Sequence, residues 1–342
     1  MGSFRGILLS AMAVSLGFCA TDDILISAHD AIKLIGKERV MFVTGDDEDI
    51  YATGHIKGSV EMYAHHLHHS SITGNMECSP LFMCPQEAEH YIGSKGIDND
   101  TLVIAYDDFK GPNATGVYAF FKSFGHDKVK ILNGGRAAIL AADPEQAIYD
   151  ALKEKLKEAK DDQALSDSIK AQMKEQEKKL LVQRGAEKDV QAKHYRIDMS
   201  KIDYGFIAGK DEVLQAVNDI LSKGQQSRFA IIDARGFDEI MGDRKMDNVA
   251  RGGHIPGATF IEWRNITDTE KKLSFRELEK MQAIFDQNGI TKDKRIYAYC
   301  HVGTGRSSHI VTALELLGYQ NVKVYTGSWD EWANDMSLPI RR

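Results

Sequence analysis

Two stretches of this chain repeat one another in order and spacing, and that duplication constrains the fold more tightly than any local pattern. The first copy reads "DIYATGHIKGS", then "DNDTLVIAYDDFKGPNATG", then "GHDKVKILNGGRAAI". The second reads "VARGGHIPGA", then "TKDKRIYAYCHVGTGRSSH", then "GYQNVKVYTGSWDEW". Each has Gly-His-Ile-x-Gly, an apolar run ending in Ala-Tyr, a glycine-bearing turn, a helical stretch and a further apolar run closing on a glycine turn. The period of about 200 residues lies far beyond that of solenoid repeats. It implies two homologous domains, which suits a chain of 342 residues.

Within the copies, short strands such as "RFAIIDAR", "ATFIEW", "KRIYAYC" and "VKVYTG" alternate with helices such as "KDEVLQAVNDIL", "FRELEKMQAIFDQNG" and "SSHIVTALELLG". That alternation predicts an α/β fold, each domain a mainly parallel sheet with helices on both faces. Sites in such sheets lie beyond the carboxyl ends of the strands. Between the copies the composition changes. From Glu145 to Lys193, 22 of 49 residues are charged, evenly split by sign, with Gly185 the one glycine and no proline. Ile148, Leu152, Leu156 and Ala159 share one helical face; Leu165, Ile169, Met173 and Leu180 share another after a break at "KDDQ". Two amphipathic helices are expected, forming a solvated structural insert rather than a partner-binding arm.

The net charge of −7 gives no basic excess for nucleic acid, and the aromatics are too scattered for a base-stacking surface. "MGSFRGILLSAMAVSLGFCA" reads as a secretory signal, with Arg5 as its positive region and an apolar stretch too short to span a bilayer. Phe18 sits awkwardly near the cut and disfavours lipidation at Cys19. The mature protein is therefore expected to be periplasmic or secreted, without a membrane span. Export leaves Cys78, Cys84 and Cys300. Cys78 and Cys84 bracket "SPLFM" and are placed to close a small disulfide loop in an oxidising compartment, leaving Cys300 unpaired.

Cys300 stands at a strand-to-helix turn, after "KRIYAY" and before "SSHIVTALELLG". Unpaired N–H groups from His301, Val302, Gly303, Thr304 and Gly305, the helix dipole and Arg306 would form an anion cradle there. The same features activate a thiol. A merely structural cysteine has no need of such a loop. Aligned on Ala-Tyr, the first copy has Asp107 where the second has Cys300.

With "IIDARGFDE", "GGHIPGA", "IYAYC" and "YTGSWDEW" in order, the second half resembles a catalytic rhodanese domain. With "GHIKGS", "LVIAYDD" and "LNGG", the first half resembles the inactive N-terminal domain of the tandem-domain thiosulfate and mercaptopyruvate sulfurtransferases, which typically carries Asp for the Cys. The resemblance covers nearly all the chain except the signal over 1–20 and the charged helical insert and linker over 144–200, and it implies an inactive domain over 21–143 and a catalytic domain over 201–342. It implies Cys300 as nucleophile, taking sulfur from a small inorganic donor as a persulfide and passing it to a thiol, to cyanide or to a protein acceptor. The amides of His301 to Gly305 and Arg306 would stabilise the anion. Asp233 and Arg235 are expected to brace the loop through a salt bridge, His254 to be structural, and Trp329 and Trp332 to pack the domain's edge.

Two features depart from the pattern. The usual loop has four residues between Cys and Arg; "CHVGTGR" has five, the length found in the related cell-division-cycle phosphatases and in tyrosine phosphatases. Phosphatase or arsenate-reductase chemistry is thus the alternative, although no leaving-group acid is assignable and those phosphatases lack the tandem architecture. A non-enzymatic binding module is a third reading, countered by the intact Cys300 loop. Second, Glu239 stands four residues after Arg235 where the sulfurtransferases carry an arginine. A carboxylate there would repel mercaptopyruvate, which favours thiosulfate or polysulfide unless Arg244, Arg251 or Arg264 substitutes. The cluster His65, His66, His68 and His69 reads as a polar loop rather than a functional metal site, since near-adjacent histidines do not define a tetrahedral set. Neither metal nor organic cofactor is expected.

Overall fold

The computed structural model describes residues 23–68, 76–108 and 111–342. The expected signal over 1–20, and His69 of the histidine cluster, lie outside these residues. The first half contributes β1 (Leu25–Ile26), β2 (Val40–Thr44), β3 (His55–Ile56), β4 (Val60–Glu61), β5 (Leu102–Tyr106) and β6 (Val129–Leu132). β7 (Val182–Gln183) follows the insert. The second half contributes β8 (Ile207–Ala208), β9 (Phe229–Asp233), β10 (Thr259–Phe260), β11 (Arg295–Tyr299) and β12 (Val322–Tyr325).

The duplication is visible strand for strand. One sheet has the order β4-β2-β5-β6-β1 and the other β10-β9-β11-β12-β8, with every neighbouring pair parallel. Register agrees as well: Thr44 is opposite Tyr106 in one sheet and Asp233 opposite Tyr299 in the other. The central strands are apolar almost throughout, as strands covered on both faces must be.

Successive side chains on a strand point to opposite faces. Along β11, Tyr297 and Tyr299 join the cluster behind the second sheet, whereas Ile296 and Ala298 face the other domain. Cys300 continues the phase of Ala298, so its side chain enters the space between the domains. That space holds the largest core, to which Val103, Val117 and Phe121 come from the first half and Ile232, Ile310 and Leu314 from the second. Smaller clusters back each sheet. The domains thus share their main core, across which the helices Pro112–Ser123 and Arg306–Leu316 pack together.

Loops are exchanged at this interface. A Cys78–Cys84 disulfide closes the loop of the first domain whose Pro80 carbonyl accepts from Thr326 Oγ1 at 2.9 Å. In the other direction the Ser274 N–H donates to Asn133 Oδ1 at 3.0 Å, and Ser274 Oγ accepts from the Gly134 N–H at 3.2 Å.

The charged insert folds as a hairpin of Pro144–Glu158 and Gln163–Glu177. Asp143 and Asp162 cap the two helices by accepting from the amides of Glu145 and Leu165, and Pro144 fills the first helical position. Leu152, Ala159 and Ile169 form a separate small cluster with Leu156 and Met173. Ile148 and Leu165, expected on the apolar faces, remain about half exposed because the helices pack chiefly on each other. The antiparallel β3–β7 pair ties the end of the insert to the first domain. No helix among the described residues is long and apolar enough to cross a membrane.

Candidate active site

Cys300 is a free, buried thiol just past the carboxyl end of β11. Its amide donates to Ser328 Oγ at 3.1 Å, and its carbonyl accepts from the Trp329 N–H at 3.0 Å. The Ser307 hydroxyl lies 3.4 Å from the sulfur and the Gly303 carbonyl also accepts from it, at 2.7 Å. Gly303 is fixed by necessity: its φ is +82°, and a Cβ there would stand 2.3 Å from the Thr326 carbonyl oxygen. The amides of His301, Val302, Gly303, Thr304 and Gly305 donate to no acceptor among the described residues. They leave the loop as a set of unused donors beside the thiol.

The first copy shows such a loop closed on an acidic side chain. Asp107 stands where Cys300 stands, and its Oδ2 accepts from the amides of Gly111 at 2.8 Å and Ala114 at 3.2 Å. The cradle of that domain is filled by its own carboxyl group. Burial, with Asp46 and Asp108 beside it, pushes the Asp107 carboxyl well above the usual carboxylate range. Four residues separate Asp107 from the first residue of the following helix, Pro112, against five between Cys300 and Arg306. The longer loop is therefore confined to the copy that keeps the thiol.

Arg306 opens the helix behind the loop, but its guanidinium is engaged. It donates through both terminal nitrogens to Glu239, at 2.5 and 3.1 Å. Burial pushes the Glu239 carboxyl up, and the Arg306 hydrogen bonds and charge more than offset that, holding it below its ordinary range. Glu239 also accepts from Arg244 at 3.0 Å. The other two arginines considered as carboxylate clamps are committed too. Arg251 donates to the carbonyls of Trp332, Ala333, Asp335 and Leu338, and Arg264 to Glu262.

Asp233 and Arg235 form a buried ion pair, with Nη2 to Oδ2 at 2.7 Å. Arg235 also donates to the Gly253 carbonyl at 2.7 Å and lies over the Trp329 ring at 4.5 Å. Tyr299 donates to Asp233 at 2.5 Å and accepts from the Ile255 amide at 3.0 Å. This network joins the end of β9 to the Gly-His-Ile turn below the loop. His254 Nδ1 donates to the Ile240 carbonyl at 3.0 Å. Trp329 and Trp332 are not at an edge: they are 2% and 0% exposed, because Ser328–Asn334 tucks beneath the Cys300 loop.

The side chain of His301 meets two residues that no sequence motif marks, Asn248 and Asp330. His301 Nε2 lies 3.1 Å from Asn248 Oδ1, and Asn248 Nδ2 donates to Asp330 Oδ1 at 2.8 Å. Burial, then the Arg306 charge, pulls His301 down to about 4, whereas burial holds Asp330 up at about 6. The neutral ring donates from Nε2 to the amide oxygen, which leaves Nδ1 as an acceptor. His65, from the histidine cluster, lies close enough for desolvation among its neighbours and the Arg306 charge to lower its pKa. Asn248 and Asp330 are brought to His301 only by tertiary contact. Among the described residues no three His, Cys, Asp or Glu side chains converge as a metal site.

Comparison with known proteins follows the same outline. The family described as "Rhodanese-like domain" matches residues 27–142 and 213–335. "Sulfur carrier protein TtuD" of Thermus thermophilus is 29% identical over 318 residues, covering 90% of this chain and 91% of that protein. A protein of Mycolicibacterium smegmatis named "Putative thiosulfate sulfurtransferase" is 28% identical over 329 residues, covering 94% and 98%. Among solved structures, the anaerobic ergothioneine biosynthesis enzyme of Chlorobium limicola with trimethyl histidine has a TM-score of 0.68 at 22% identity. It covers 93% of this chain and 70% of its own. A persulfide form of an EanB variant with ergothioneine superposes with a TM-score of 0.69 at 21% identity, covering 94% of this chain and 71% of its own. At these identities the structural likeness speaks for the fold.

Proposed function

The chain belongs to the rhodanese-like family, and from that premise we propose that it is a sulfurtransferase working through a persulfide on Cys300. The observation that carries this is the contrast between the two cradles. In the first, amides close on the carboxyl group of Asp107; in the second, a free thiol stands beside amides that no described group accepts from. Thiosulfate or a polysulfide is the donor. The Cys300 thiolate attacks the outer sulfur, a new S–S bond forms, the donor's S–S bond breaks, and sulfite or the shortened polysulfide leaves with the electron pair. An acceptor thiolate or cyanide then attacks the terminal sulfur, and the Cys300 thiolate is released. Net oxidation state is conserved and the kinetics are ping-pong. The loop amides stabilise the persulfide anion, and the Asp233–Arg235 pair holds the loop in place.

The five-residue loop raises phosphoryl or arsenate chemistry as the competing reading. Glu239 argues against it, because a phosphate dianion would have to displace a bidentate carboxylate to reach Arg306. Intact mass after incubation with thiosulfate tests the proposal: the wild type should gain one sulfur, Cys300→Ser none, and Cys84→Ser the same as wild type. A higher kcat/KM for an aryl phosphate than for thiosulfate, on one preparation, would overturn the assignment.

A further inference from the structure

A cavity of about 890 Å³ opens between the first domain and the helical hairpin, away from Cys300. The β3–β7 ribbon contributes His55 and Val182, Gly135–Ala142 contributes Arg136 and Leu140, and the hairpin and the segment after it supply the rest. Its charge is segregated. The chain as a whole has 43 basic against 50 acidic side chains, and the insert is evenly split. The cavity wall nevertheless has six cations, Arg136, Lys153, Lys174, Lys178, Arg184 and Lys188, with Glu177 as its sole carboxylate.

Three of the six are committed within the fold. Arg136 donates to the carbonyls of Gly54 and Ile50, Lys153 to Asp150, and Lys178 to Glu175. The side chains of Lys174, Arg184 and Lys188 make no hydrogen bond or ion pair among the described residues. Glu177 already accepts from the Tyr149 hydroxyl at 2.6 Å. The cavity is half open and Lys174, Arg184 and Lys188 are solvent-exposed, yet like charges gathered around one space still repel each other unless a counter-charge lies among them. The apolar part of the wall is Leu140, Leu180 and Val182 beside the Tyr149 ring, with Thr53, Gln146 and Gln183 as its neutral polar side chains. His55 Nδ1 donates to the Tyr51 carbonyl at 3.2 Å, which leaves Nε2 of the neutral ring as an acceptor.

We propose that this cavity binds a phosphorylated small molecule of the nucleotide class, its phosphates on Lys174, Arg184 and Lys188 and its body on the Tyr149–Leu140–Val182 wall. The volume suits an organic ligand, since small-molecule pockets span roughly 300–1,000 Å³, and inorganic phosphate would leave most of it unfilled. His55 Nε2 would accept from a hydroxyl or amino group of that body. The site is independent of the sulfur chemistry at Cys300.

Isothermal titration of the full chain with ATP, pyrophosphate and adenosine tests the proposal. ATP should bind, with affinity falling as salt rises, and adenosine should bind on the order of tenfold more weakly or worse. The double variant Arg184→Gln/Lys188→Gln should lose on the order of tenfold in ATP affinity, while sulfur loading of Cys300 from thiosulfate shows that it is folded. Failure of both ATP and pyrophosphate to bind at low salt would overturn the proposal. So would an unchanged ATP affinity in the double variant, or binding of tetraglutamate without ATP.

Discussion

At the scale of single residues, Glu239 is the least expected determinant of this site. Its position suggests repulsion of a carboxylate substrate, and its geometry adds a second effect by partnering the cation at the end of the loop. An anion entering the cradle must share Arg306 with a carboxylate that is only 4% exposed. Substituting Glu239→Gln keeps the size and one acceptor but removes the charge. Phosphate, as a competitive inhibitor of thiosulfate, should then bind about tenfold more tightly, the size of one charge-assisted hydrogen bond. An unchanged inhibition constant would mean that Arg306 takes no part in anion binding. The sequence makes Arg306 legible through its loop spacing; it cannot show that Arg306 is already paired.

At the scale of elements, the β11–helix turn is held by the turn after β12. The close approach of Gly303 to the Thr326 carbonyl and the Trp329 N–H bond to the Cys300 carbonyl lock the two turns together. Gly303→Ala must push them apart or abandon a positive φ, at a cost of about 1–3 kcal/mol. Expected results are a lower unfolding temperature and slower persulfide formation, followed by intact mass over time. A variant that loads sulfur at the wild-type rate would show that the loop keeps its shape without this clamp. The strand period makes the inward direction of Cys300 readable from "IYAYC" alone. The clamp joins two segments with 22 residues between Gly303 and Thr326, so only the folded chain reveals it.

For the molecule as a whole, two opposed sets of buried groups govern stability against pH. His309 lies at the domain interface, stacked on Phe275 at 4.5 Å and bonded to Thr267 at 3.0 Å, and burial pulls it down to about 3. As pH falls from about 6.5 toward 3, the unfolded chain takes up a proton that the folded chain refuses, so stability is lost. Asp330, held at about 6 by burial, acts in the other direction. The folded chain keeps its proton longer, so stability is lost as pH rises from about 4 toward 6. Between pH 7 and pH 5, His309→Gln should show a smaller acid-induced fall in Tm than wild type, by the equivalent of roughly 2 kcal/mol. Asp330→Asn should show a larger one. Parallel Tm profiles for wild type and His309→Gln would mean that the ring is not held neutral.

The duplication, the α/β alternation, the hairpin and the position of Cys300 were all determined by local pattern. They rest on spacings of two, of three to four, and of a whole domain, each of which a linear chain displays. What only the tertiary structure decided is what meets across distance. The shared core, the loops exchanged around Pro80 and Ser274, the Glu239–Arg306 pair and the His301–Asn248–Asp330 chain join residues that no spacing rule relates. Burial moved Ile148 and Leu165 outward and Trp329 and Trp332 inward for the same reason. Periodicity marks a face as apolar, but which surface covers it depends on how the domains and the hairpin dock.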